Sequence, residues 1–304
     1  TSEIGAEAKD DDLQFLSDGI IHLERKGSRR FFSVTKLRGA DFQEGPHEMK
    51  LGSNGIKVYP HLIPNEHRST FTPETIGSGV PEIDKLLHGG LNKGTINILS
   101  GPSGVGKTTL GVQFMNEASG RGEKSVIFAF EEDASTLVYR SENIGIPIQE
   151  MMENENRTRE GIEPLAFTPD QFAALVRRKV EKEGVSLLML DSLSGYKQSL
   201  KGDDLSHHLH ALCRYLKNMG VTVLIINEQE TVAGAEFKIT DHGISFLGDT
   251  IILLRYLEVR SELRKAIGVL KKRTGDFENA LREYKITSSG VKVGWALLTP
   301  DPGS

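Results

Sequence analysis

Thr95-Ile96-Asn97-Ile98-Leu99-Ser100-Gly101-Pro102-Ser103-Gly104-Val105-Gly106-Lys107-Thr108-Thr109 decides how the rest of the chain is read. Its apolar start (Ile96, Ile98, Leu99) predicts a strand, and the apolar residues from Leu110 to Met115 fall at helical spacing. Between them, Gly101 to Thr108 spell G-x-x-x-x-G-K-T, the phosphate-binding P-loop pattern in its strand-to-helix context. The glycines let backbone N–H groups turn inward onto phosphate oxygens, and the helix that starts here adds unpaired donors and the positive end of its dipole. Gly101, Pro102, Ser103, Gly104, Val105, Gly106, Lys107, Thr108 and Thr109 are therefore the candidate nucleotide-binding residues. Lys107 is placed to reach the β- and γ-phosphates, and Thr108 to offer its hydroxyl to Mg2+.

Outward from the P-loop, Ser125–Phe130, Val185–Leu190 and Val221–Ile226 read as apolar strands, with helical patterns over Asp170–Glu183 and Asp203–Met219. Strands alternating with helices predict an α/β fold with a mostly parallel central sheet covered on both faces. Beyond Ile251 the pattern changes to strands joined by short turns, a C-terminal β extension. Ligands of such sheets bind beyond the C-terminal ends of the strands. The P-loop, Glu131-Glu132, Asp191 and Asn227 all fall at such ends. Asp191 is the candidate second Mg2+ contact. Glu131 and Glu132 are candidates for orienting and deprotonating an attacking water or hydroxyl, with an acidic helix cap as the plainer alternative. Lys271 and Arg273 alternate on an expected strand and face one way, either to reach the phosphate of a neighbouring subunit or to form a basic edge. His207, His208 and His210 have no cysteine beside them, and a polar helix face is expected there rather than a zinc site.

The chain also repeats itself. Phe15–Leu23 resembles Phe246–Leu254 at an offset of 231, whereas Val34–Phe42 and Glu48–Val58 resemble Val269–Phe277 and Glu283–Val293 at 235. The second copy therefore carries four extra residues, expected near Tyr256–Val259. The first copy has no P-loop before it. Residues 1–62 are expected to be the C-terminal part of an upstream domain. Residues 63–74, polar with two prolines, read as a linker, 75–297 as the complete domain and 298–304 as a tail.

The chain has 304 residues and a net charge of −5, with only short basic clusters, so neither a nucleic-acid coat nor an anionic-membrane binder is expected. One cysteine, Cys213, excludes an intramolecular disulfide and a Cys-rich zinc site and fits a reducing cytoplasm. The longest apolar runs are too short to span a bilayer.

These motifs resemble the KaiC branch of the RecA-like ATPases. The resemblance runs from Gly79-Val80-Pro81-Glu82-Ile83-Asp84 and Gly89-Gly90-Leu91 through the P-loop, Phe128–Glu132 and Leu190–Ser194 to Gly248–Arg260 and Lys271-Lys272-Arg273. It implies a RecA-like P-loop NTPase fold, ATP and Mg2+, and a homo-oligomeric ring, expected to be a hexamer, with ATP between subunits and signalling partners still to be identified. Glu131 and Glu132 match the family's catalytic pair. Lys271 and Arg273 match cations acting in trans on a neighbour's ATP, with Lys36 and Arg38 as their counterparts in the upstream copy. The clock members' phosphorylated Ser–Thr pair falls on Ser245-Phe246. The serine alone remains, so Ser245 is the candidate phosphoacceptor and a two-site cycle is not expected. A DNA-binding recombination ATPase of the RadA type is the competing reading, disfavoured by the absent zinc finger and by loops mixing Lys197, Lys201 and Lys238 with six acidic residues. A nucleotide-gated scaffold with little hydrolysis is a third.

Overall fold

The computed structural model describes residues 14–149, 157–161, 167–200, 205–229, 246–259 and 261–296. The chain divides into two compact units, residues 1–62 and 63–304.

The first unit holds β1 (Gly19–Lys26), β2 (Arg29–Leu37), β3 (His47–Gly52) and β4 (Gly55–Tyr59), an antiparallel sheet in the order β1-β2-β3-β4.

In the second unit, a two-residue strand β5 (Thr75–Ile76) pairs with β6 (Leu91–Asn92) around the helix α1 (Pro81–Leu86). Then follow β7 (Ile96–Gly101), α2 (Lys107–Gly120), β8 (Lys124–Ala129), α3 (Ala134–Glu142), β9 (Arg157–Gly161), α4 (Pro169–Glu181), β10 (Val185–Asp191), α5 (Leu193–Ser199), α6 (Leu205–Asn218) and β11 (Thr222–Glu228). The chain ends in β12 (Thr250–Val259), β13 (Glu262–Lys272), β14 (Arg282–Thr287) and β15 (Gly290–Ala296). The nine-stranded sheet runs β15-β14-β13-β12-β7-β11-β10-β8-β9. It is parallel from β12 to β9 and antiparallel from β12 to β15, as the change of pattern after Ile251 predicts.

The central strands are mostly apolar, and their residues are buried on both faces. Leu99, Ile127, Met189, Leu224 and Ile226 pack with Leu110, Phe114 and Met115 of α2 in one core. Residues of opposite parity, Val126, Phe128, Leu188, Leu190, Val223 and Ile225, are equally buried on the other face. There Phe128 meets Phe172 of α4 edge-on at 5.1 Å, and Phe172 meets Tyr196 of α5 at 5.7 Å.

The repeat in the sequence is a repeat of hydrogen-bond register. The pairs Arg30↔Met49, Phe31↔Glu48 and Phe32↔His47 correspond to Lys265↔Tyr284, Ala266↔Glu283 and Ile267↔Arg282, each 235 residues on. Both long hairpins break register at the matching place, Ile20/Ile21 and Ile251/Ile252. Arg38 donates its backbone N–H to Asp18 O at 2.8 Å, and Arg273 does so to Asp249 O at 2.8 Å. The four extra residues of the second copy lengthen the β12–β13 hairpin on both strands. Leu257↔Arg264 is the counterpart of the last pair Lys26↔Arg29, and two further pairs follow it.

Two segments carry little signal in their sequence. Within residues 63–74, read as a linker, Pro64, His67 and Ser69 contact α6. Asn218 Nδ2 donates to Pro64 O at 2.7 Å, Ser69 N donates to Asn218 O at 3.0 Å, and His67 stacks edge-on against Tyr215 at 5.2 Å. The edge strand β9 has no apolar run to announce it: its sequence is Arg-Thr-Arg-Glu-Gly. Among the described residues no helix is long and apolar enough to cross a membrane.

Candidate functional site

β7 ends at Gly101 and α2 begins at Lys107, so the loop between them lies at the C-terminal edge of the parallel sheet. The loop requires its glycines. Gly106 caps α2 at φ +116, and a Cβ there would stand 2.6 Å from Ile286 Cδ1. A Cβ on Gly101 would stand 2.2 Å from the carbonyl oxygen of Leu254 on the next strand. The antiparallel extension also grips the loop from outside. The Tyr284 hydroxyl donates to Val105 O, and Lys265 Nζ donates to Gly104 O at 3.1 Å.

A cavity of about 440 Å³ opens over the loop. Ser103, Gly104, Gly106, Lys107, Thr108 and Thr109 form its floor, and Glu131, Glu132 and Asp191 line it from neighbouring strand ends. Gly101, Pro102 and Val105 do not line it. They shape the loop instead, and Pro102 O accepts from Lys107 Nζ at 2.8 Å. Burial pulls the Lys107 ammonium below the ordinary lysine pKa, while the Glu228, Asp191 and Glu131 carboxylates oppose that shift.

Asp191 closes β10, where the Thr108 side chain acts on its carboxyl. Loss of water pushes its carboxyl up to about 6. Thr108 opposes the rise, Glu132 adds to it, and Arg140 and Lys107 oppose it. A hydroxyl and a carboxylate, both hard oxygen donors facing a phosphate-sized loop, fit Mg2+, which keeps most of its waters and needs few protein ligands. Among the described residues no cluster of three or more His, Cys, Asp or Glu forms a fuller cage.

The acidic run after β8 divides its work. Asp133 is the N-cap of α3, accepting from Thr136 N at 2.8 Å, and its hydrogen bonds, first that from the Ser135 hydroxyl, hold it below the usual carboxylate range. Capping therefore belongs to Asp133 among these three, and Glu131 and Glu132 face the cavity. Glu131 Oε1 accepts from the Ser192 hydroxyl at 3.2 Å. Glu132 Oε2 accepts from Arg140 Nη2 at 3.1 Å.

Lys271 and Arg273 lie elsewhere. Lys265 pairs with Tyr256 near the cavity, whereas Lys271 pairs with Ile251, six residues further along β13, roughly 20 Å at strand rise. Lys271 Nζ donates to Gly248 O at 2.8 Å, and Arg273 Nη1 approaches Asp249 Oδ1 at 4.0 Å, so the two cations share the same neighbouring segment. Lys272, between them, points the other way and donates to Leu87 O and Gly90 O. Their counterparts in the first unit behave alike: Lys36 Nζ donates to Gln14 O at 2.6 Å, and Arg38 Nη1 to Asp18 Oδ1 at 3.4 Å. Ser245 lies outside the described residues.

Sequence reasoning missed Lys265, Arg140, Glu228 and Ile286, which also line the cavity. Lys265 and Ile286 come from strands that only the sheet register brings to the P-loop. Asn227, placed at a strand end by its position, instead ties two strands together through Ser100 at 3.0 Å, and the next residue, Glu228, takes the cavity wall.

The chain is similar to the circadian clock oscillator protein KaiC of a Picosynechococcus species, 29% identical over 290 residues. It is 28% identical over 284 residues to the protein of the same name from Synechococcus elongatus. Each alignment covers 92% of this chain but only 55% and 54% of the relative, so the chain spans about half the length of the curated relatives it matches. The family described as the KaiC ATPase matches residues 76–297, which hold the P-loop, the strand-end carboxylates and the antiparallel extension, and the chain belongs to that family.

Proposed function

We propose that the chain binds ATP over Gly101–Thr109 and hydrolyses it, and that the site is completed by a second copy in a ring. The observation that carries this reading is the opposite placement of two residue sets: the P-loop, Glu131, Glu132 and Asp191 share one cavity, while Lys271 and Arg273 stand roughly 20 Å along the sheet from it. Cations so far from their own phosphate site are suited to serve another's.

In this reading, loop N–H groups and the α2 N-terminus hold the β- and γ-phosphates, and Lys107 leaves Pro102 O for phosphate oxygen. Thr108 and Asp191 would hold Mg2+, which when bound neutralises phosphate charge. A glutamate takes one proton from water as the water oxygen bonds to the γ-phosphorus. The bond from that phosphorus to the bridging oxygen breaks, and its electron pair leaves with ADP. Residues 1–62, with their matching registers, are read as the C-terminal strands of an upstream copy of the same domain, and Lys36 and Arg38 would act there as Lys271 and Arg273 do here.

The test is phosphate release by wild type, Lys107→Ala, Arg273→Ala and an equal mixture of the two variants. Each variant alone should lose turnover. The mixture should regain part of it, because some interfaces then join an intact loop to an intact arginine. A mixture no better than its parts argues against completion in trans, and a wild type without turnover argues against the ATPase. Mass spectrometry of the same incubation separates self-transfer to Ser245 from hydrolysis.

A further inference from the structure

Glu131 and Glu132 leave the end of β8 one after the other, and the structure gives them different partners. Glu131 turns to β10 and α5, where the Ser192 hydroxyl, itself the cap of α5, donates to it at 3.2 Å. Glu132 turns to α3, whose last turn carries Arg140, and the two form an ion pair at 3.1 Å on the cavity wall. One partner is a neutral hydroxyl. The other is a permanent cation with a planar fork that fixes the direction of what it holds. The pair is partly exposed, with side chains at 42% and 23%, and pairs of this kind add little to stability.

We propose that Arg140 is a positioning residue of the ATP site and acts through Glu132. The guanidinium holds the Glu132 carboxylate in one orientation at the cavity wall, where it accepts the hydrogen of the attacking water that is not transferred. To take a proton itself, Glu132 would have to give up a charge-assisted hydrogen bond. Glu131 gives up a hydrogen bond from a neutral donor, with the Lys107 ammonium acting on it but not ion-paired to it, so the transferred proton goes to Glu131 as the water oxygen bonds to phosphorus and ADP departs. Arg140 thus sets which of two adjacent carboxylates does which work. This inference rests on the ATPase reading above.

The test is steady-state ATP turnover by Arg140→Met, Arg140→Lys, Glu132→Gln, Glu131→Gln and the double variant Arg140→Met/Glu132→Gln, with melting temperature and affinity for a fluorescent ATP analogue measured on each. Arg140→Met should lower kcat about tenfold, with KM and analogue affinity within about twofold and an unchanged melting temperature. Arg140→Lys should recover only part of the loss, since an ammonium keeps the charge but not the planar fork. The double variant should be no worse than Glu132→Gln alone, since both remove one unit. Glu131→Gln should lose at least about 10²-fold. Wild-type kcat in Arg140→Met, a raised KM at unchanged kcat, or losses that multiply in the double variant would each overturn the role of Arg140 while leaving the ATPase reading intact. A wild type that binds the analogue but releases no phosphate overturns both.

Discussion

Single residues of the P-loop are constrained from two sides. Gly106 must supply a left-handed backbone and must also leave room for Ile286. Gly106→Ala should therefore cost about 1–3 kcal/mol of stability and abolish detectable binding of an ATP analogue, read by thermal melting and by fluorescence titration. Asp191 gives the opposite pattern. Its carboxylate is half-buried at the cavity wall, and an amide of the same shape keeps an oxygen acceptor toward the Thr108 side chain without the charge. Asp191→Asn should leave the melting temperature of the nucleotide-free protein unchanged or raised while lowering Mg2+-dependent turnover by about 10²-fold or more. The lysine, the threonine and the strand-end carboxylates were legible because their pattern is local. Arg140 was not, because an arginine eight residues beyond a glutamate has no recognisable spacing, and only the path of the chain into α3 brings them together.

At the scale of elements, the two ends of β13 do different work. Lys265 reaches the P-loop, and Lys272 ties the other end to the residues that follow α1, through Leu87 O and Gly90 O. Desolvation first of all pulls the Lys272 ammonium below the ordinary lysine pKa, and Asp276 opposes it. Lys272→Met leaves two carbonyls without this donor and should cost about 1–3 kcal/mol, seen as a lower urea midpoint at unchanged slope. Elements without an apolar run were the least legible. The central strands stood out by their apolar runs, but β9 is an edge strand written in arginine, glutamate, threonine and glycine, and pairing with β8 makes it a strand. Residues 63–74 look like a linker by composition because polar side chains carry no periodic signal, and their contacts with α6 come from elsewhere in the sequence.

At the scale of the whole molecule, the two copies of the four-strand motif differ in what covers them. Ile252 and Leu254 are buried at 1% and 0% exposure, while their counterparts Ile21 and Leu23 stand 58% and 61% exposed. Ile252→Lys should destabilise the second unit by several kcal/mol, at least about 4, as burial of an unpaired charge does, and abolish its folded signal in thermal melting. Ile21→Lys with Leu23→Lys should leave nucleotide affinity unchanged and reduce concentration-dependent association, measured by light scattering. An effect on affinity would contradict the assignment of the site to the second unit alone. The amino-acid sequence by itself determined the P-loop, the parallel core and the existence of the repeat, because each rests on residues close together in the chain or on a pattern copied whole. Only the tertiary structure decided which cations reach the cavity. Lys265 lies in it and Lys271 does not, although they share one strand, because their places follow from the register of β13 against β12 and of β12 against β7. The register of β12 against β7 pairs segments about 150 residues apart along the chain (the Ile96 N–H donates to Asp249 Oδ2, 153 residues on), and no local pattern carries it.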